Sequence, residues 1–325
     1  MSSQINIINW LPAALLIILS IFSSCNKSTG TDNSSNDACN LPELRQTSFA
    51  SVHRPCGIAV SKNGLVAICE YNGFEIYGGA YGSAGKTYVY RSYSDLLTKA
   101  APFFTLDNQG AEAVAFDQNE NLYVAETEAV AGIAVYQNLN IYLPSVFAYR
   151  KTSQGEFINP RGLAFDSHDR LYVANDGVGN IIRIDDPMGI AKTQSIGYIS
   201  KGIKGLAIAE DTIFCTSYNT GEIMTLPLNS DGTLGQLNHT GILTDRPVDI
   251  SVNDQTIAVS RPESGTISLF ERNGFIKADY AGCTRDIHVG TNTFGLAFLR
   301  NTASKTAILA AQLDQNQIIY FESKN

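Results

Sequence analysis

The sequence predicts an all-β protein made of six four-stranded units in a ring, and three observations lead to this prediction. A phrase made of a small residue, an aliphatic residue, Ala and an aliphatic residue or Phe recurs along the chain, with four of its copies weaker than the other two. The copies begin at Gly57, Ala113, Gly162, Gly205, Asp249 and Gly295. Successive copies start 56, 49, 43, 44 and 46 residues apart, and such a period is typical of β-propeller blades. Almost no segment has helical periodicity.

Each copy supplies the first two strands of a unit. In the clearest copies, residues 113–117 and 162–166 carry the phrase, and residues 122–126 and 171–175 read Leu-Tyr-Val-Ala followed by a polar residue. Turns rich in Asp, Asn and Gly join these strands. A β-branched or aromatic third strand follows, such as residues 181–184. An outer fourth strand then leads into the next unit.

The two ends of the chain predict how the ring closes. The sixth unit ends after its third strand, near Phe321, and residues 47–52 precede the first unit where a fourth strand belongs. We expect the N-terminal strand to complete the sixth blade, because this pairing removes both open edges. The predicted architecture is a six-bladed β-propeller over residues 45–325.

The repeated phrases resemble NHL-type repeats and, more broadly, the six-bladed propellers of the SMP-30/gluconolactonase-like proteins. The resemblance covers roughly residues 45–323 as short motifs. It implies the propeller fold, and short repeat motifs indicate a fold rather than an activity.

The N-terminus resembles that of a bacterial lipoprotein. The apolar run over residues 10–22 contains Pro12, is short for a membrane span and ends at Ser23-Ser24-Cys25, which resembles a lipobox. The resemblance implies a signal peptide over residues 1–24, lipidation of Cys25 and, over residues 25–44, a tether rich in Ser, Asn and Asp. We expect an exported cell-envelope protein anchored in the outer membrane. An ordinary secretory signal and an uncleaved membrane anchor are the alternatives.

Composition predicts one globular domain and excludes one class of partner. The chain has 325 residues, of which 44% are hydrophobic, and a net charge of −8. Phosphate binding needs clustered Lys and Arg, which the sequence lacks, so no nucleic-acid surface is expected. We expect a monomer, and a protein, peptide, carbohydrate or small-molecule partner remains open.

Five cysteines follow Cys25, an odd number in a compartment that permits disulfides. Cys56 and Cys69 belong to the first hairpin and form the candidate disulfide, although Cys283 competes for Cys56. Cys215 lies inside a strand and is expected to pack as a buried hydrophobic residue. No cysteine spacing matches a metal-ligand signature, so no zinc site is predicted.

Candidate binding residues follow from the topology of a blade. The connection into the first strand and the loop after the second lie on one face, around the mouth of the central channel. The residues directly before the six small residues are Cys56, Glu112, Arg161, Lys204, Val248 and Phe294. The residues that end the second strands are Glu70, Glu126, Asn175, Ser217, Arg261 and Gln312. We predict that these twelve surround the mouth and that their charged and amide side chains contact a ligand.

Aromatic residues separated by glycines follow Glu70. Tyr71, Tyr77 and Tyr81 are candidates for a stacking lip at the mouth, and a plain glycine-rich hairpin is the alternative.

Three residues are candidates for catalysis. Glu112 resembles the glutamate with which SMP-30-like lactonases hold a divalent cation, whereas Arg161 and Lys204 are cationic at the corresponding positions. An ion pair of Glu112 with Arg161 or Lys204 is the alternative. His53 and His288 are expected in the connections into blades 1 and 6, where a His beside an Asp can act as a base. Surface loop residues are the alternative, and no nucleophile motif accompanies them.

Two functions follow from these patterns. The first is a membrane-anchored binding module that uses its channel mouth and needs no cofactor. The second is a hydrolase of the lactonase type that uses Glu112 with Ca²⁺ or another divalent cation.

Overall fold

The described part of the chain lies within one compact unit, Cys39–Asn325. The computed structural model describes residues 39–71, 85–108, 110–127, 131–137, 139, 145–149, 151–152, 155–188, 193–199, 201–276, 280, 282–299 and 306–324. Within these residues, no helix has both the length and the apolar character needed to span a membrane.

Six antiparallel sheets of four strands form the blades. The chain begins with β1 (Leu44–Ser51). Blade 1 contains β2 (Pro55–Val60), β3 (Val66–Glu70), β4 (Gly85–Tyr90) and β5 (Phe104–Asn108), with the short helix α1 (Tyr93–Leu97) between β4 and β5. Blade 2 contains β6 (Ala111–Phe116), β7 (Leu122–Glu126), β8 (Gly132–Gln137) and β9 (Ser145–Tyr149).

A small hairpin, β10 (Lys151–Thr152) and β11 (Gly155–Glu156), precedes the third blade. Blade 3 contains β12 (Pro160–Phe165), β13 (Leu171–Asn175), β14 (Asn180–Ile184) and β15 (Thr193–Tyr198). Blade 4 contains β16 (Ile203–Ala209), β17 (Thr212–Ser217), β18 (Glu222–Pro227) and β19 (Asn238–Leu243).

The last two blades differ from the others, because blade 5 includes a 3₁₀ turn and blade 6 takes its fourth strand from the N-terminus. Blade 5 contains β20 (Ile250–Val252), β21 (Thr256–Arg261), β22 (Thr266–Glu271) and β23 (Thr284–His288), with a 3₁₀ turn over Arg272–Ile276. Blade 6 contains β24 (Thr293–Phe298), β25 (Ala307–Gln312) and β26 (Gln317–Ser323).

The N-terminal strand closes the ring, as the sequence predicts. β1 pairs antiparallel with β26, from Leu44 opposite Ser323 to Ser51 opposite Gln317, and the sheet order is β1-β26-β25-β24. The first strands of the blades also meet around the ring, and β24 contacts β2. The prediction of a six-bladed β-propeller is therefore confirmed.

The inner strands β2, β6, β12, β16, β20 and β24 define two faces of the propeller. We call the face at their N-terminal ends the mouth face and the opposite face the far face. Strands alternate in direction within a blade, so the second strand ends on the mouth face and the outer strand begins on the far face.

The small residue that opens each phrase allows neighbouring inner strands to approach. A Cβ atom on Gly162 would lie 2.5 Å from the carbonyl oxygen of Lys204 in the next blade. Gly57 and Gly205 meet the backbone of the next inner strand in the same way. Real Cβ atoms do not tolerate such distances, so glycine at these positions is a packing requirement.

The tyrosine of the Leu-Tyr-Val-Ala phrase completes the turn that precedes it. Tyr172 is fully buried and donates its hydroxyl to Asp166 Oδ2 at 3.1 Å. Asp166 Oδ1 accepts the backbone N–H groups of His168 (2.9 Å) and Arg170 (3.0 Å). Tyr123 and Asp117 repeat the arrangement in blade 2. The buried hydroxyl is thereby satisfied, and the turn is fixed in shape.

The apolar core lies between blades. Each hydrophobic cluster combines residues of two adjacent blades, such as Tyr123 and Val135 of blade 2 with Leu171 and Ile184 of blade 3. The cluster between blades 6 and 1 includes Ala50 of β1. Packing across every boundary in this way holds the ring together as one domain.

One disulfide joins Cys39 to Cys283, with Cα atoms 5.7 Å apart and a sequence separation of 244. The sequence leaves Cys283 as a candidate partner of Cys56, whereas the structure pairs Cys283 with Cys39. Cys56 and Cys69 are buried with their Sγ atoms 3.1 Å apart and not bonded. Cys215 is fully buried among hydrophobic residues of blades 3 and 4.

Candidate functional site

A channel of about 1030 Å³ runs between the inner strands of all six blades. The six residues predicted to precede the small residues all line it: Cys56, Glu112, Arg161, Lys204, Val248 and Phe294. Each lies near the N-terminal end of its inner strand, on the mouth face. We call these six residues the mouth rim.

The mouth rim divides into two arcs. Blades 2, 3 and 4 contribute the charged residues Glu112, Arg161 and Lys204. Blades 5, 6 and 1 contribute Val248, Phe294 and Cys56, which form an apolar arc. The channel therefore presents a polar side and an apolar side at the same level.

Arg161 is the centre of the charged arc. Its guanidinium forms an ion pair with Glu112, and its Nε lies 3.7 Å from Asp176 Oδ2. Burial acts to lower the pKa of Arg161, but Glu112, Asp176 and the nearby Tyr71 outweigh burial, so the pKa is raised. Arg161 thus stays charged and holds two carboxylates in fixed positions.

Lys204 lies beside an aromatic ring on the mouth face of blade 4. Its Nζ is 4.4 Å from the centre of the Tyr218 ring, a cation–π geometry. The Tyr218 hydroxyl donates to Glu263 Oε1 at 3.1 Å, and Arg246 contacts both groups. The Tyr218 ring therefore positions the ammonium group of Lys204, and Lys204 lies at the edge of the channel.

Two residues that contact the mouth rim, Asp176 and Tyr218, were not predicted from the sequence, whereas a third at the mouth, Tyr71, was predicted. Asp176 and Tyr218 directly follow Asn175 and Ser217, the predicted ends of their second strands. Tyr71 follows Glu70 in the same way, and the guanidinium carbon of Arg54 lies 5.3 Å from the centre of the Tyr71 ring. The position one residue past the end of the second strand is the signal that identifies all three.

The predicted residues at the ends of the second strands lie one strand away from the channel and do not line it. Asn175 Oδ1 accepts the backbone N–H of Ile158 at 2.7 Å, in the connection into blade 3. Gln312 donates to the Val289 carbonyl in the connection into blade 6. These two side chains therefore hold the connections that carry the rim.

The remaining members of that set are also engaged in local contacts. Glu70 accepts from the Tyr88 hydroxyl at 3.3 Å, and Arg261 lies 3.2 Å from Asp286 Oδ2. Glu126 and Ser217 are buried. Tyr77 and Tyr81 lie outside the described residues.

The two histidines occupy different kinds of position. His53 lies in the connection into blade 1, as expected, where Nδ1 contacts Glu70. His288 is the last residue of the outer strand β23 and lies 3.3 Å from Thr266 Oγ1. The expectation that His288 lies in the connection into blade 6 is corrected, because pairing with β22 extends the outer strand through it.

The rim does not fit a divalent cation. A hard cation needs several oxygen ligands, but the Glu112 carboxylate is occupied by Arg161, and Lys204 adds a second positive charge. Within the described part of the chain, the one cluster of metal-ligating side chains is Cys39, Glu271 and Cys283, and two of these form the disulfide.

A partly buried carboxylate lies in the channel wall beside the apolar arc. Asp249 accepts the backbone N–H groups of Ile250 (2.9 Å) and of Leu296 in blade 6 (2.8 Å). Burial raises the pKa of Asp249 to about 6 despite these two hydrogen bonds.

Comparison with known proteins supports the fold. No protein-family model and no curated protein sequence matches the chain. The chain is similar to a gluconolactonase from Xanthomonas campestris, with a TM-score of 0.61 and 11% identity, covering 90% of this chain and 93% of that one. The likeness shows the fold alone.

Two further solved structures have the same shape and other chemistries. A PQQ-bound aldose sugar dehydrogenase from Streptomyces coelicolor matches with a TM-score of 0.57 and 12% identity, over 87% of this chain and all (100%) of that one. A virginiamycin B lyase from Staphylococcus aureus matches with a TM-score of 0.54 and 12% identity, over the same 87% and 100%. These three proteins have different activities on similar folds, so the fold alone does not specify a function.

Proposed function

We propose that this protein is an exported, lipid-anchored β-propeller that binds a ligand at the mouth of its channel. The mouth rim supports the proposal, because six side chains from six blades converge on one channel and divide into a charged and an apolar arc. A cavity of about 1030 Å³ is large enough for a small molecule or for the end of a peptide.

The two arcs define the chemistry of a fitting ligand. Arg161 and Lys204 offer N–H donors, and Glu112 and Asp176 offer acceptors. Phe294, across the channel, offers an apolar surface. A ligand with a hydrogen-bonding end and an apolar end, such as a short peptide or a substituted sugar, satisfies both arcs.

A hydrolase of the lactonase type is the second candidate. It is favoured by the position of Glu112 on the channel and by the shared fold with a gluconolactonase. The ion pair of Glu112 with Arg161 opposes it, because the carboxylate would have to leave Arg161 before it could bind a cation.

Ligand-dependent thermal stability tests the binding proposal. A panel of neutral disaccharides, gluconate and apolar tripeptides is added to the wild type, to Lys204→Gln and to the control Asp211→Asn, which is exposed on the far face. We expect at least one compound to raise the Tm of the wild type and of Asp211→Asn but not of Lys204→Gln. A Tm shift that persists in Lys204→Gln, or hydrolysis of glucono-1,5-lactone that is lost in Glu112→Gln, would contradict the proposal.

Metabolic labelling tests the anchor. Cells that express the full chain are grown with a labelled fatty acid, and we expect the protein to incorporate it through Cys25. Cys25→Ala should abolish the label, and Cys39→Ala serves as the matched cysteine control that retains it. Equal labelling of Cys25→Ala and the wild type would rule out this anchor.

Export also bears on the thiols in the first hairpin. Cys56 and Cys69 lie with Sγ atoms 3.1 Å apart, so a small movement suffices to join them in an oxidising compartment. We expect protein isolated from the cell envelope to contain one free thiol, Cys215, after denaturation. Three free thiols per chain would show that this pair stays reduced.

A further inference from the structure

The described chain begins on the far face of the propeller. Cys39 is bonded to Cys283, the residue directly before β23. β23 is the outer strand of blade 5, and outer strands begin on the far face, as the pairing of Thr284 with Phe270 at the end of β22 confirms. The disulfide therefore fixes residue 39 on the side opposite the mouth.

Residues 40–43 are attached to the same face by independent contacts. The backbone N–H of Asn40 donates to Glu271 Oε1 at 3.1 Å, and Leu41 is buried between blades 5 and 6. Lys324 Nζ donates to Glu43 Oε2 at 2.8 Å. The chain is thus held to the far face from Cys39 until β1 begins.

We propose that the far face is directed toward the membrane and that the channel mouth opens away from it. The proposal rests on the lipid anchor at Cys25. Thirteen residues separate Cys25 from Cys39, so the anchor lies within about 45 Å of Cys39. The strands of a blade are roughly 20 Å tall for six residues.

The orientation follows from where the tether is attached. With the far face toward the lipid, Cys39 lies on the side nearest the anchor. With the mouth toward the lipid, the same thirteen residues must also cover the strand height of roughly 20 Å, so fewer of their conformations connect the two points. The mouth-outward orientation is therefore favoured, and the ligand of the mouth then arrives from the aqueous space.

Energy transfer from one blade to the bilayer tests the orientation. Asp211 and Thr220 are both exposed and lie at opposite ends of β17, Asp211 on the far face and Thr220 on the mouth face. Full-length lipidated Asp211→Cys or Thr220→Cys, labelled with one donor dye, is reconstituted into phosphatidylethanolamine/phosphatidylglycerol vesicles with a headgroup acceptor. Cys56, Cys69 and Cys215 are buried, and the protein without an added cysteine gives the background.

We expect transfer at least about twofold stronger from position 211 than from position 220, because the sites differ in height by roughly 20 Å. Equal transfer from both positions, or stronger transfer from position 220, overturns the orientation and leaves the anchor standing. Absence of transfer from both positions, with the signal no higher than that of Cys25→Ala, overturns the anchor and the orientation together.

Discussion

The inner strands of blades 3 and 5 pack against the next blade in different ways. In blade 3, Gly162 lets the next inner strand approach, and the preceding Arg161 is free to become the centre of a charged cluster. In blade 5, Asp249 takes the place of the glycine and binds the backbone of blade 6 through its carboxylate. The preceding residue there is Val248, and β20 has 3 residues against 6 in β12.

The two blades therefore place their charged groups at different positions in the channel. In blade 3 the charged residue Arg161 lies at the rim and contacts Glu112 and Asp176. In blade 5 the Asp249 carboxylate lies in the channel wall, and the rim residue, Val248, is apolar. The two arcs of the mouth therefore follow from how each blade packs against the next.

The largest effect is expected at the charged arc. Arg161→Met leaves two carboxylates next to each other without their cation and should cost about 3–5 kcal/mol of unfolding free energy. Val248→Ala, at the equivalent position of blade 5, should cost about 1 kcal/mol. Urea unfolding of both variants measures the contrast. Similar losses would show that the Arg161 cluster does not stabilise the ring.

Asp249 in blade 5 should contribute to the pH dependence of stability. The folded-state pKa of Asp249, about 6, exceeds its ordinary value of 3.8. The native state therefore binds this proton more tightly, and the contribution of Asp249 to stability should fall as the pH rises from 4 to 6, by at most about 3 kcal/mol, and then stay level.

Asp249→Asn separates this contribution from those of other groups. The variant removes one acceptor and is expected to be less stable overall, so the readout is the slope of unfolding free energy against pH between pH 4 and 6. The decline should be smaller in the variant than in the wild type. Parallel profiles would assign the pH dependence to other groups.

A smaller contrast is expected at the turns after the inner strands. Asp166 in blade 3 accepts from two backbone N–H groups, from Arg170 Nε at 2.6 Å and from Tyr172. Asn253, its equivalent in blade 5, accepts from the backbone N–H groups of Gln255 and Thr256. Asp166→Ala should cost about 2–3 kcal/mol and Asn253→Ala about 1 kcal/mol. Chemical denaturation tests this, and an equal cost would remove the distinction between the two turns.

Most of the fold could be predicted from the sequence because repetition reveals register. Each small residue marks the start of an inner strand, and the position before it marks the rim, as Glu112 and Lys204 show. Closure by β1 follows from an incomplete last blade. The pairing of Cys39 with Cys283 could not be predicted, because 244 residues separate them and no local pattern connects them.

The partners of the rim were harder to predict, because they depend on where strands end. Asn175 accepts a hydrogen bond from the backbone N–H of Ile158, whereas the next residue, Asp176, lies in the loop and forms an ion pair with Arg161. Strand alternation assigns a side chain to a face of the sheet, but it does not say which loop residue reaches the channel. His288 was misplaced for the same reason, because the end of β23 is set by pairing with β22.

If the mouth binds a ligand without a metal centre, divalent cations should not stabilise the protein through Glu112, and thermal melting measures this. The Tm of the full chain is measured with and without millimolar Ca²⁺, Mg²⁺ or Zn²⁺, for the wild type and for Glu112→Gln. The ion pair of Glu112 with Arg161 predicts that no cation shifts the Tm of the wild type relative to that of Glu112→Gln. A cation-dependent rise in Tm that is present in the wild type and lost in Glu112→Gln would contradict binding without a metal centre and favour the hydrolase.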